Sequence, residues 1–230
     1  MRTDHSRKNL IASISIMLVM TFLGFITRKV FIDTIGVEYL GLNGLLYNIL
    51  NVVSLLEGGF GTSIVYNLYK PLAERDKPRI IALVQLYRKI YRFIALGILL
   101  MGLAIYPFLD VFIKDGESLE YVSVVFFIFL FNSIVPYFAA YKWSLINADQ
   151  KQYKLAGINL AYQMGLNLAK LAILYYTKNY ILYLVVESLL LVGYNITVSY
   201  KVNRLYSYIR IRTKLKVDKL TRKSIITNSK

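Results

Sequence analysis

LAKLAILYYTKNYILYLVVESLLLVGYN, residues 168–195, reads as two apolar runs on either side of the short polar turn Thr177-Lys178-Asn179. Each run extends outward into a helix of the ~20 residues that cross a hydrocarbon layer. Each also carries an ionisable residue well inside it, Lys170 in the first and Glu187 in the second. A charge facing lipid is expensive, so ionisable groups inside such helices face a bundle interior or a water-filled cavity. Lys170 lies about two turns before the polar turn and Glu187 about two turns after it, so an antiparallel pair of helices sets both at one depth. An ion pair between them is expected.

Outward from this pair the same pattern fills most of the 230 residues. The spans fall at about 10–32, 39–68, 80–109, 119–147, 152–176 and 180–204, which predicts an all-α integral membrane protein with a six-transmembrane-helix bundle. The domain division is then one lobe over 1–204 and a basic cytoplasmic tail over 205–230. Composition supports the class: 57% of residues are hydrophobic, and the mean hydropathy of +0.49 exceeds that of an ordinary soluble domain. The first span is too long for a signal-peptide core and lacks a small-residue cleavage pattern, so a retained helix is expected.

The net charge of +15 does not point to nucleic acid, because the Lys and Arg residues sit between the apolar spans and in the tail, where they set topology. Arg2, Arg7 and Lys8 precede the first span; Lys70, Arg75, Lys77 and Arg79 separate the second and third; Lys142, Lys151 and Lys154 surround the fourth-to-fifth turn. These loops are expected in the cytoplasm, with both termini, and the acid-rich loops with Asp33, Glu38, Asp110 and Asp115 outside. Arg28 and Lys29 break the rule by falling at the outer end of the first helix. No cysteine and one histidine, His5, make a zinc site improbable, and neither metal nor cofactor is expected.

Polar residues inside the spans mark candidate sites. In the fifth helix Asn159, Gln163, Asn167 and Lys170 form one stripe, and Gly157, Ala161, Gly165 and Ala169 form another about 200° away. The small residues read as a face for close helix packing, and the amides and ammonium as a face toward a polar interior. Interhelical hydrogen bonding with no solute involved remains an equal reading of the amides. In the sixth helix Tyr180, Tyr183, Glu187 and Tyr194 share a face that would suit sugar contacts, or a buried pair fixing helix register.

In the second helix Asn48, Asn51, Ser54 and Glu57 recur at steps of three, followed by Gly58, Gly59 and Gly61, a combination suited to a helix break near a site. Glu57 serves either as a proton-coupling group or as the partner of a cation on a neighbouring helix, the second reading being favoured. The third helix carries Arg88, Lys89 and Arg92 before its apolar core. They read as snorkelling anchors at an anionic leaflet in preference to a headgroup site.

The run FITRKVFIDTIGVEYLGLNGLLYNILNVVSLLEGGFGTSIVYNLYKPLAERD, residues 25–76, resembles the N-terminal part of the bacterial polysaccharide repeat-unit flippases of the multidrug/oligosaccharidyl-lipid/polysaccharide exporter superfamily. The similarity rests on Arg28 before VFIDTIG, on Glu38-Tyr39-Leu40-Gly41-Leu42-Asn43, on Glu57 with its glycines and on Leu68-Tyr69-Lys70-Pro71-Leu72-Ala73. Residues 168–195 are similar to that family's fifth and sixth helices, so coverage reaches about residue 204. The resemblance implies one lobe of a two-lobe, inverted-V transporter in the bacterial plasma membrane. It would move a polyprenyl-diphosphate-linked oligosaccharide from the cytoplasmic to the outer leaflet, with Arg28 and Lys170 supplying cavity charge. The resemblance implies that no bond is made or broken, so an enzyme is not expected. A guanidinium can grip phosphate oxygens bidentately while the polyprenyl chain stays in lipid. Arg28 as an interfacial anchor is an equal reading.

The family has two lobes and this sequence carries one, so a truncated or half-length chain is expected, with a second lobe or self-association as partner. Three other classes compete. A drug/cation antiporter of the same superfamily would export cationic dyes. An enzyme acting on polyprenyl phosphates would need a metal cluster or loop base, which the acids from Asp110 to Glu120 do not space correctly. A non-transporting scaffold leaves Glu57, Lys170 and Glu187 without a role.

Overall fold

The computed structural model describes residues 2–54, 60–112 and 121–211, with the backbone alone for 2–16, 53, 54, 60 and 110. Every regular element among them is helical. The α-helices are α1 Arg2–Thr34, α2 Val37–Ser54, α3 Phe60–Ala73, α4 Lys77–Ile105, α5 Leu109–Phe112, α6 Val122–Ile134, α7 Tyr137–Ala148, α8 Ala156–Tyr176 and α9 Tyr180–Leu205. Three helical stretches are long and apolar enough to cross a membrane: Lys77–Phe108, Val122–Ala148 and Tyr180–Leu205. These correspond to the third, fourth and sixth expected spans. The fifth is helical too, but its apolar character is diluted by Asn159, Gln163, Asn167 and Lys170. The second is divided between α2 and α3, and Glu57, Gly58 and Gly59 lie outside the described residues.

Local chemistry explains the helix ends. Gly36 closes α1 in a left-handed conformation (φ +113°), and the Ile35 and Gly36 amides both return to the Phe31 carbonyl at 2.8 and 3.4 Å. Asp76 caps α4 by accepting from the Arg79 amide at 3.0 Å, with Pro78 in the first turn, where a missing N–H costs nothing. Asn179 caps α9 by accepting from the Leu182 amide at 2.9 Å. The fourth expected span is two helices in place of one, because Pro136 between α6 and α7 has no amide to give to the Asn132 carbonyl and its ring crowds it.

The core forms around one stripe of α4: Ile80, Leu83, Val84, Tyr87, Tyr91, Ile94 and Ile98, spaced at three and four residues and all buried. That stripe packs on α7, α3 and α6, and Tyr91 and Ser144 share a 3.1 Å hydroxyl–hydroxyl hydrogen bond across it. Gly102 lets α4 close onto Leu130 of α6, for a Cβ there would lie 2.4 Å from Leu130 Cδ1. On the other side α8 lies between α1 and α9. Outside the core, Phe22, Phe25, Phe93, Leu100, Phe138 and Leu189 are all exposed, an apolar perimeter compatible with a membrane protein.

The loops sort to two ends. At one, the Tyr206 hydroxyl donates to Asp149 at 2.5 Å, Lys77 sits 6.0 Å over the Tyr208 ring, and Gln85 donates to the Ile211 carbonyl at 3.1 Å. The start of α4, the α7–α8 turn and the end of α9 therefore meet there. Burial and the hydrogen bond to Asp149 hold the Tyr206 hydroxyl well above the usual tyrosine range. At the opposite end Thr34, Tyr39, Tyr121 and Lys178 surround one small hollow, which brings together the α1–α2 turn, the start of α6 and the α8–α9 turn.

The small-residue stripe of α8 is a correction. Gly157, Ala161 and Gly165 are exposed and only Ala169 is half-buried, and a Cβ added to either glycine would meet nothing within 4 Å. No described helix packs on this face, because α8 meets α1 and α9 with its flanks.

Candidate functional site

A cavity of about 890 Å³ opens between the α1–α2–α8–α9 side of the bundle and the α6–α7 pair. Helical periodicity builds its walls. From α1 come Gly24, Thr27, Arg28 and Phe31, and from α2 Leu40, Asn43, Gly44, Tyr47 and Asn51, each set on one face at steps of three, four and seven. Phe129, Asn132 and Ser133 of α6, Pro136 between α6 and α7, Tyr137 and Ala140 of α7, Asn167 and Lys170 of α8, and Tyr183, Leu184 and Glu187 of α9 complete it.

Its electrostatic centre is the pair read from the sequence. Lys170 Nζ lies 2.7 Å from Glu187 Oε1, with the side chains 14% and 29% exposed. The ammonium also stands 4.9 Å from the centroid of the Tyr183 ring, a cation–π contact that strengthens as water is excluded. Phe31 braces Tyr183 at 5.2 Å and Tyr180 at 5.9 Å. Tyr180 in turn donates to Asn43 Oδ1 at 2.5 Å, which ties α9 to α2 beside the cavity. Arg28 faces the same space and makes no ion pair among the described residues. Two cations against one carboxylate leave the described lining one positive charge in excess.

Two wall groups have unequal fates. The Asn167 amide donates to the Gln163 carbonyl at 2.9 Å, and its carbonyl oxygen lies 3.5 Å from the Thr27 hydroxyl, a marginal contact between α1 and α8. Asn132 Oδ1 is buried and has no hydrogen-bond partner among the described residues. An orphaned acceptor on a cavity wall costs free energy until a donor arrives.

Of the residues singled out in the sequence, Arg28, Asn51, Asn167, Lys170 and Glu187 come together here. Asn48 does not: it is exposed and outside the lining, because a step of three residues winds about 60° around a helix while the observed polar row, Asn43, Tyr47 and Asn51, follows steps of four. Asn159 and Gln163 lie off the cavity, where Gln163 donates to Asn159 Oδ1 at 3.4 Å and Tyr194 approaches the same oxygen at 3.5 Å. Tyr194 stacks on Tyr162 at 4.3 Å and is also absent from the lining. Glu57 lies outside the described residues. Sequence reasoning did not single out Thr27, Asn132, Ser133 and Tyr137 for the site. The signal for the first was its i−1 position to Arg28, and for the others their closeness to Pro136.

A second cavity, of about 970 Å³, lies between α3, α4 and α7 and holds Ser63, Tyr69, Tyr91, Ser144, Asn147 and Gln152. Pro136 and Ala140 belong to both cavities, so they stand on the wall the two share. Asn147 and Gln152 place the second cavity toward the end that holds Asp149 and Tyr206.

No protein-family model matches this chain. No curated protein and no solved structure matches it either. The functional reading therefore stands on the site itself.

Proposed function

We propose that the chain is one lobe of a bacterial inner-membrane exporter that carries polyprenyl-diphosphate-linked oligosaccharide repeat units from the cytoplasmic to the outer leaflet. The observation that carries the reading is the cavity holding the Lys170–Glu187 pair together with Arg28, which has no ion-pair partner among the described residues. Its volume is at the upper end of the ~300–1,000 Å³ of ligand sites, which gives room for a diphosphate and a sugar. An excess of positive charge favours an anionic cargo and disfavours the cationic drugs of an antiporter. Asn43, Asn51, Asn132 and the tyrosines offer the acceptors and ring faces that sugar hydroxyls and sugar planes need.

In this reading the bundle has six spans, α2 with α3 and α6 with α7 counting as one each. The end carrying Lys77, Lys151 and the α9 terminus is cytoplasmic, with both chain termini, by the excess of positive charge in its loops. A second lobe, from another chain or another copy, faces the open side of the cavity.

The test is the level of lipid-linked repeat units in cells lacking this gene, with and without the 230-residue chain restored. Clearance by the wild-type chain and not by Arg28→Gln supports transport through this cavity. Absence of any accumulation in the deletion strain overturns the reading.

A further inference from the structure

Lys142 is a lysine on the inner side of α7, only 7% exposed, with neither a hydrogen-bond acceptor nor a carboxylate partner among the described residues. Two more cations act on it. Arg88 of α4 stands 5.1 Å from the Tyr141 ring centroid, Lys142 Nζ stands 5.5 Å from the same centroid, and the charges of Arg88 and Arg210 both repel that of Lys142. Arg210 is held in place because the next residue is fastened to α4 through the Gln85 amide and the Ile211 carbonyl.

The described carboxylates of this end are already engaged. Glu74 pairs with Lys70 at 3.8 Å, Asp76 caps α4, and Asp149 is taken by Lys151 at 2.6 Å and by Tyr206. Three cations converging with no anion among them raise the free energy of the fold, and a bound anion is the direct way to lower it. A surface lysine could relieve the repulsion by swinging into water. Lys142, only 7% exposed, has little room to do so, while Arg88 and Arg210 are exposed.

We propose that Arg88, Lys142 and Arg210 form a phosphate-binding site distinct from the central cavity, with Lys142 as its floor and the two guanidiniums as its clamp. A phosphate group suits this geometry because a guanidinium forks onto two of its oxygens while an ammonium satisfies a third. The site lies about two turns from the Ala148 end of α7, a depth that a phospholipid headgroup or a free phosphate ion can both reach.

The test uses the full chain in phosphatidylcholine nanodiscs, with thermal unfolding and lipid retention on native mass spectrometry as readouts. Phosphatidylglycerol doped into the disc, or millimolar inorganic phosphate without it, is expected to raise the unfolding midpoint. A response to the lipid alone identifies a headgroup, and a response to both or to phosphate alone identifies the ion. Each of Arg88→Gln, Lys142→Met and Arg210→Gln should weaken retention of the responding ligand about fivefold. Lys142→Met keeps the packing and removes the repulsion, so the variant should fold at least as stably while losing the ligand response. A wild-type protein indifferent to both additives, or a Lys142→Met variant that responds as the wild type does, overturns the proposal.

Discussion

Lys170 and Glu187 meet at 2.7 Å across α8 and α9, on the wall of a cavity that also exposes Arg28. Removing one member strands the other in a poorly hydrated place, which costs about 3–5 kcal/mol for a fully buried pair. Glu187 keeps close to a third of its exposure, so Lys170→Gln should fall at or below the low end of that range. The double variant Lys170→Gln/Glu187→Gln should recover part of the loss, as chemical denaturation in detergent micelles would show. If the double variant folds as well as the wild type and still clears lipid-linked repeat units, the pair only fixes helix register.

Arg28 offers a contrast, because it is exposed to the cavity and unpaired among the described residues. Arg28→Gln should change stability by no more than about 0.5 kcal/mol. Clearance of lipid-linked repeat units should nevertheless fall by at least about tenfold, the loss expected for one charge-assisted phosphate contact. Arg28→Lys, which keeps the charge and loses the fork, should lie between. Equal transport by all three would leave Arg28 as an anchor at the membrane surface.

Tyr180→Phe deletes the hydroxyl that joins α9 to Asn43 of α2. The loss should be about 1–2 kcal/mol, since Asn43 Oδ1 would be left without its donor. Asn43→Ala in the same background should add little, and a double-mutant cycle on unfolding free energies measures that coupling.

Gly102→Val should be damaging, because Gly102 is buried and Leu130 fills the space a side chain would need. Overpacking of this kind costs about 1–3 kcal/mol. Gly102→Val/Leu130→Ala should restore much of it, read as a midpoint shift on thermal unfolding.

Tyr206 predicts an alkaline limit. Its hydroxyl sits above the ordinary value near 10.0 because of burial and Asp149. The folded chain therefore holds this proton after the unfolded chain has released it. The stabilisation is complete below the unfolded value and declines as pH rises beyond it. Between pH ~10 and ~11.5 the unfolding midpoint of the wild type should drop more steeply than that of Tyr206→Phe, which has no such proton to lose.

Depth along a helix was the most legible quantity in the sequence. Lys170 and Glu187 could be paired from their equal distance to the Thr177–Asn179 turn, because rise per residue is fixed by the backbone. Angular position was harder to read. Asn48 and Asn51 looked equivalent on a step-of-three row, yet only Asn51 reaches the cavity, since the neighbours that choose which face of α2 is inward are far away in sequence. The stripe of Gly157, Ala161 and Gly165 failed for the related reason that small residues permit close approach without supplying a partner. Pro136 was visible, but the apolar residues around it masked the break it causes between α6 and α7.

That proline has a mechanical consequence. Residue 136 belongs to the wall shared by both cavities and has no amide hydrogen with which to bind α7 to the carbonyl of Asn132. A pivot of α7 about this point therefore sacrifices no backbone hydrogen bond at residue 136. The wall shared by the two chambers is thus held by one backbone hydrogen bond fewer than an unbroken helix would supply.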